Sequence, residues 1–583
     1  MRDPAASKEL YKAMRHKNFS RKLNVGMIGA IAAGAALAPL AHGAARAASP
    51  VYLTSYATFH TTFSSRNFNP FLVATQLDFT RGAIYEPLEI LTTAGGGRTY
   101  PWLATGYTFT GGNKTLLVTI RHGVRWSDGT PFSAKDVVFT YNYGKQYPSA
   151  DQTGLWGAKQ LVSVDQVGAD KVALRFRTVD TTIVQQALSN VSIVSQRIWS
   201  KVGDPKGFLN PNPVGTGPFA LVQEFTAQEM ILGKNPYYWQ AGKPAFAGIR
   251  VPAYTDNNSA LAAANKGDVD WSGVFIPNVK QAYVRFDPAH FHYFYAANNP
   301  PIALYFNDQK APYSLPAFRK AISYAINRAD VSAIGENGYE PAADAVGISA
   351  AYPSWVDQSL SARARDLATY NPAKAKQTLI GAGFAYKGGK LYDPQGKPVT
   401  VELNPVIGFT DWVTSFQIIQ KNLQAIGIDA PLKQIDPNVF FDKRAKGLMN
   451  AFFGAPAGGV SPYNYFNSYL SAESYVPTGQ DATANGDANF ERYNGPAAAQ
   501  ASTLLAQFRG TTDSGKQHAA LNGLQKLQLD QMPIIPLMHY AYWYTYSTRN
   551  FTGFPDQNNY YAIGSTYQYP DNAKILTTIA PVK

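Results

Sequence analysis

Two hydrophobic periods divide the chain. From Val51 to about Phe294, short runs of β-branched and aromatic residues, such as Thr115–Ile120, Lys171–Phe176 and Ile249–Pro252, alternate with Gly, Pro, Asn and Asp. This is the pattern of strands joined by turns. Asn258–Lys266 is the short helix expected there, with the Asn-Asn-Ser stretch as its cap. Beyond Pro316 the period lengthens. Phe318, Ile322, Ala325 and Ile326 recur at helical spacing, as do Trp412, Phe416, Ile419, Leu423 and Ile426, and a third helix carries Leu521, Leu524 and Gln528. Gly427 stops the second helix, and Val399–Asn404 and Pro431–Ile435 flank it as predicted strands, which makes a strand–helix–strand α/β unit. Ser474–Tyr493 reads as a long surface loop. Ile534–Tyr546 is strand-like again and leads into a polar, Tyr-rich tail. If that tail rejoins the first region, the chain crosses between two lobes at least twice, as a hinge protein requires.

The first fifty residues carry a different signal. Arg15, Lys17, Arg21 and Lys22 precede an apolar run from Val25 to Ala41, followed by the small-residue exit Ala45-Arg46-Ala47. A secretory signal peptide cleaved after Ala47 is expected. The alternative is a membrane anchor, but a run of 17 residues broken by Pro39 falls short of the roughly 20 a span needs. Ser20-Arg21-Lys22 also resembles a twin-arginine export signal, although paired basic residues are common in ordinary ones.

Composition narrows the class. There are no cysteines, hence no disulfide, no thiolate metal site and no lipid-modified cysteine, and a freely diffusing periplasmic monomer is expected. Residues 1–47 hold eight Lys/Arg and two Asp/Glu, so their removal lowers the formal net charge from +13 to +7 over 536 residues. That charge is scattered, with no basic block, so no nucleic-acid partner is expected. A mature chain of this length exceeds one hydrophobic core. Its 36 Tyr and 9 Trp supply flat faces of the kind that stack on sugars or peptide side chains.

Several strings then point to one family. Trp126-Ser127-Asp128-Gly129-Thr130-Pro131-Phe132-Ser133-Ala134-Lys135-Asp136-Val137 is a tight Asp-Gly turn followed by a Ser-x-x-Asp helix start. It closely resembles the signature of the extracellular solute-binding proteins of family 5, which includes dipeptide, oligopeptide, nickel and cello-oligosaccharide binders. Pro213–Phe219 (PVGTGPF), Asn235–Trp239 (NPYYW), Gly267–Trp271 (GDVDW) and Phe318–Arg328 resemble further landmarks of that family, in the family's order. The resemblance implies an α/β, two-lobed periplasmic-binding-protein fold of type II-like design. It has an extra family-specific subdomain and a ligand cleft between the lobes. Transferred here, lobe I comprises 48–85, 201–295 and 540–583, the subdomain 86–200 and lobe II 296–539. It also implies ABC importer permease subunits in the inner membrane as partners.

One departure bears on the ligand. Peptide-binding members carry, in a second-lobe loop, an aspartate that pairs with the peptide's α-ammonium, whereas the aligned Phe452–Tyr463 has no carboxylate and none occurs between Lys443 and Ala472. A buried ammonium without a counter-charge is costly, so a neutral oligosaccharide fits the loop better than a free peptide. Phe453, Tyr463, Asn464 and Tyr465, with Trp271 and Asn298 from the other lobe, are the candidate ligand-binding residues. Each of these aromatics has core filling as its plainer reading. Nickel is a further family option. His290 and His292 share a strand face, but two polar histidines on a hairpin explain them as well, and no metal or cofactor is expected. An enzyme is disfavoured because no Gly-x-Ser-x-Gly, His-Glu-x-x-His or phosphate loop occurs. A pair of carboxylates such as Asp268 and Asp270 could still serve a glycosidase. An adhesive role would call for repeats, and none is visible.

Overall fold

The structure is a computed structural model describing residues 50–56, 62–73, 75–94, 97–157, 160–297, 299–348, 350–482 and 489–583. The expected signal peptide, 1–47, lies outside the described residues. No helix among those described is long and apolar enough to cross a membrane.

The strand-like first region builds a seven-stranded sheet in the order Phe291–Tyr293, Thr545–Ser547, Trp271–Ser272, Tyr52–Tyr56, Gly248–Pro252, Glu229–Gly233 and Leu221–Phe225. Tyr52–Tyr56 runs parallel to both of its neighbours, and the remaining pairs are antiparallel. Thr545–Ser547 comes from the C-terminal region, so the chain does return to this sheet. A second, four-stranded antiparallel sheet (Ala104–Thr110, Thr115–Ile120, Lys171–Phe176, Leu161–Val167) packs under the helix Ala134–Gln146. That helix starts as its sequence predicts: Ser133 caps it, and the Asp136 carboxylate accepts from the Ser133 amide at 2.9 Å.

The landmark strings owe much of their composition to packing. Gly215 and Gly217 lie against the backbone of Ala83 and Ile84, where a Cβ would overlap the carbonyl oxygens. Tyr238 and Trp239 aim their donors at Glu86, 2.9 and 3.3 Å away, beside the Trp102 indole at 2.7 Å. Asp270 accepts from the Thr54 amide and the Asn550 amide group, both at 2.9 Å, and so joins the first strand to the C-terminal region. That is a structural duty rather than a catalytic one.

In the second region, helices Pro316–Ala325, Thr410–Ala425 and Ser514–Gln531 appear where the periodicity puts them. They cover a three-stranded sheet ordered Ala451–Gly454, Pro301–Phe306, Ile534–His539. Val399–Asn404 and Pro431–Ile435 run parallel, as a strand–helix–strand unit demands, yet form only isolated bridges. Pro405 and Pro431 interrupt the ladder because neither has an amide proton to give. The short helix is Asn257–Lys266, and its cap is Asp256, paired reciprocally with Ser259, not the Asn-Asn-Ser stretch. The expected surface loop 474–493 also needs correction at its end. Asn489–Tyr493 is buried because Arg492 turns inward to the carbonyls of Asn489, Ala445 and Gln480, each at 2.7 Å.

Candidate functional site

The two sheets are joined by the crossings that leave Tyr293 and His539, and beside these crossings lies a cavity of about 550 Å³. Gln76–Arg81, Gly273–Phe275 and Thr566–Asn572 contribute one wall. Phe409–Trp412, the helix Pro437–Ala445 and Gly454–Ala455 contribute the other, and Tyr540 and Trp543 rise from the crossing itself. Flat rings dominate: Trp543 stands edge-on to Phe275 at 5.0 Å, and Trp412 packs against Phe409 at 5.4 Å. Tyr569 also borders a second cavity of about 320 Å³ lined in part by Gln185, Tyr352, Gly458 and Tyr542.

Hydrogen bonds cross the cleft. Asn257 donates to the Thr410 hydroxyl at 3.0 Å, the Thr181 amide to the Arg509 carbonyl at 2.9 Å, and Gln186 to the Asn464 side chain. The Tyr540 and Tyr567 hydroxyls meet at 2.5 Å.

Charged groups stand in the walls without a counter-charge. Arg81 stacks on Tyr569 at 3.9 Å and donates to the Ser192 hydroxyl and the Asn190 carbonyl, with no carboxylate partner among the described residues. Its burial lowers its pKa. Arg444 sits over Phe440, Phe441 and Phe490 with its Nε unbonded, and burial brings its pKa down to about 10. Opposite in sign, Asp411 opens the helix Thr410–Ala425. Burial pushes it up to about 7, although the Trp412 amide and the Trp543 indole partly offset that. Behind it, Glu336 and Glu340 are raised by burial and by the neighbouring carboxyls.

The sequence-predicted site residues fare unevenly. Trp271 is fully buried: its indole donates to the Gly564 carbonyl at 2.6 Å and its rings pack on Phe79 and Phe554, so it lines neither cavity. Phe453 is stacked on Phe416 at 4.1 Å, one layer behind Trp412. Tyr463 and Tyr465 are core residues, the first accepting from Arg509 at 3.1 Å and the second donating to the Val346 carbonyl at 2.7 Å. These four aromatics face inward because their strand and helix are covered on both sides. Asn464 alone reaches a boundary, where it joins Gln185, Gln186 and the Gly458 carbonyl. Asn298 lies outside the described residues. His290 is taken by Asp287 at 2.9 Å and His292 by the Thr548 hydroxyl at 3.2 Å, so they do not converge on one point. No cluster of three or more His, Asp or Glu suited to a metal occurs among the described residues.

Sequence reasoning missed Asp411, Trp412, Trp543 and Tyr569. One cue was available: Asp411-Trp412 begins a strongly periodic helix, and helix starts in α/β units commonly face a cleft.

Comparison with known proteins settles the lineage. The family described as bacterial extracellular solute-binding proteins, family 5 (middle region) matches residues 98–476. The chain belongs to that family. It is similar to the nickel-binding periplasmic protein of Escherichia coli, 26% identical over 419 residues, 69% of this chain and 75% of the relative. The oligopeptide-binding protein AppA of Bacillus subtilis is 26% identical over 364 residues, 58% of this chain and 63% of the relative. Among solved structures, a mannohexaose-bound periplasmic oligopeptide-binding protein of Thermotoga maritima superposes with a TM-score of 0.81 at 27% identity, covering 91% of this chain and 98% of that one. The nonapeptide complex of the B. subtilis protein gives 0.73 at 20% identity, with 91% and 99% covered, which speaks for the fold. The two-lobed α/β binding-protein architecture is thus established, and at family level these are binding proteins, not enzymes.

Proposed function

We propose that this protein is the exported, periplasmic binding component of an ABC importer. In this reading, lobe closure captures a short oligosaccharide or oligopeptide, which is then delivered to the inner-membrane permease. Lobe I is taken as 48–85, 201–295 and 540–583, the subdomain as 86–200 and lobe II as 296–539. The observation that carries the reading is the ring-walled cavity of about 550 Å³, within the range of about 300–1,000 Å³ typical of small-molecule sites. Closure follows from thermodynamics, since a ligand touching both walls favours the closed state by its affinity difference between states. The mannohexaose carried by the Thermotoga relative supports a sugar, and the oligopeptide-binding relatives support a peptide.

The test is a thermal-shift screen against cello-, manno- and malto-oligosaccharides, di- to pentapeptides and Ni²⁺. A ligand at 100 times its Kd stabilises by about 2.7 kcal/mol. A shift with one organic class identifies the cargo. A shift with Ni²⁺ alone, or none with any sugar or peptide, overturns the reading.

A further inference from the structure

The acidic corner of the cavity carries more information than its shape. Asp411 lines the cavity, its charge raises the pKa values of Glu336 and Glu340 behind it, and none of the three forms an ion pair with a lysine, arginine or histidine among the described residues. Their hydrogen bonds leave capacity unused. Glu336 accepts from the Ser415 hydroxyl at 2.8 Å and Glu340 from the Ala541 amide at 2.8 Å, while Asp411 Oδ1 and Glu336 Oε2 have no partner. A second observation is independent of the acids. Asn257, on the facing wall and only 3% exposed, spends its amide N–H on Thr410, next to Asp411, and its Oδ1 accepts nothing. Asn572, also 3% exposed, lines the same cavity with an unbonded Oδ1. Buried acceptors without donors are rare, because each costs about 1–3 kcal/mol. Here Asp411, Asn257 and Asn572 border a space that a ligand would fill, so that ligand must bring donors.

We propose that Asp411 is the counter-charge for an ammonium group of the ligand, and that this ammonium takes the place of a proton held by the Glu336–Glu340–Asp411 group in the ligand-free protein. The displaced proton goes to solvent. Asn257 Oδ1 accepts a second N–H or O–H of the same ligand. Asp411 lies some forty residues before Phe452–Tyr463, the loop in which peptide-binding relatives carry their aspartate, so the charge reaches the cavity from a different element. The groups that face this corner are Trp543 beside Asp411, Tyr540 and Tyr567 near Glu340, Arg444 on the same wall, and Asp78 with Arg81 opposite. Arg444 is held among phenylalanine rings and makes no ion pair with the three acids, so it leaves them uncompensated. The chemistry sought is an ammonium on a hydroxyl- or amide-rich body, whether from an amino sugar or from a peptide's amino terminus.

This inference rests on the cavity being the ligand site, and the experiment separates the two. Isothermal titration is run with two pairs of twins: the glucosamine trimer and its N-acetylated form, and trialanine and N-acetyltrialanine. It is done near pH 6 in two buffers of different ionisation heat. The expected result is that the amine twin of one pair binds at least about tenfold more tightly than its acetylated form, releasing up to one proton per ligand. The pair that shows the preference names the source of the ammonium. Asp411→Asn should then bring the twins to within about twofold. Equal affinity of both twins in the unaltered protein overturns the proposal while leaving the proposed function intact. So does a preference that survives in Asp411→Asn. Failure of all four compounds to bind overturns the proposal, and the proposed function falls with it only if the thermal-shift screen also finds no sugar or peptide ligand. The twin comparison needs no variant, so the claim stays testable if Asp411→Asn folds poorly.

Discussion

Two groups of buried acids in the second region have opposite surroundings. Asp308 and Glu491 share their pocket with Arg319, whose guanidinium lies 3.4 Å from Asp308, and with Arg492. Arg319 also donates to the carbonyls of Met532 and Gln531 at 2.8 and 2.7 Å. Glu336, Glu340 and Asp411 are as deeply buried but have no cation beside them. Burial alone raises carboxyl pKa values in both places, Asp308 to about 8 and Asp411 to about 7. The first group has its positive charge within the protein, although its carboxylate oxygens accept no hydrogen bond. The second reaches the cavity wall through Asp411 and is complete only when something else brings a positive charge or a proton. Burial therefore does not mark a binding site; the absence of an internal partner at a cavity does.

The comparison can be broken most sharply at Arg319. Arg319→Met should cost about 3–5 kcal/mol in denaturant unfolding, because it strands both a carboxyl and several carbonyls. Asp411→Asn should cost little or even stabilise at neutral pH. Trp271→Ala should also cost about 3–5 kcal/mol, and its damage should appear as lost stability rather than as lost contact with ligand.

The pH dependence follows from the sign of the shifts. Asp411 has a folded pKa near 7, above its ordinary value of about 3.9. Between these values the folded state holds more protons than the unfolded one, so this group's contribution to stability is full at low pH and is lost as pH rises toward 7. A slope of up to about 1.4 kcal/mol per pH unit is expected from it. Asp411→Asn should flatten that part of the curve, measured as melting temperature against pH without ligand. The smallest expected effect is at Asn464. Removing its bonds to Gln185 and Gln186 with Asn464→Ala should weaken apparent ligand affinity by about fivefold, since roughly 1 kcal/mol of closed-state stabilisation is lost.

Much of the fold is legible because periodicity and packing agree. Phe318, Ile322 and Ala325 are all fully buried on the helix they predict, and the glycines of Pro213–Phe219 meet a backbone that only glycine can approach. The site is less legible for the same reason. An aromatic is read the same way whether its ring fills a core or faces a cavity, so Trp271 and Trp543 cannot be told apart by type. What separates them is which sheet edge the chain has left, and that depends on the crossing after His539. Residues 443–472 hold no carboxylate, whereas Asp411 reaches the cavity from another element. Asn464, offered as an amide among aromatics suited to a sugar, stands at a boundary with Gln185 and Gln186 and lines neither cavity.

The central claim is that the cavity walled by Trp543 and Trp412 is where ligand binds. The most direct measurement is titration calorimetry of the unaltered protein and of Trp543→Ala with whichever oligosaccharide or peptide raises the melting temperature. The account predicts one-to-one binding that weakens at least about tenfold in the variant, consistent with loss of a buried ring contact. Binding of undiminished strength in Trp543→Ala would place the ligand elsewhere and contradict it.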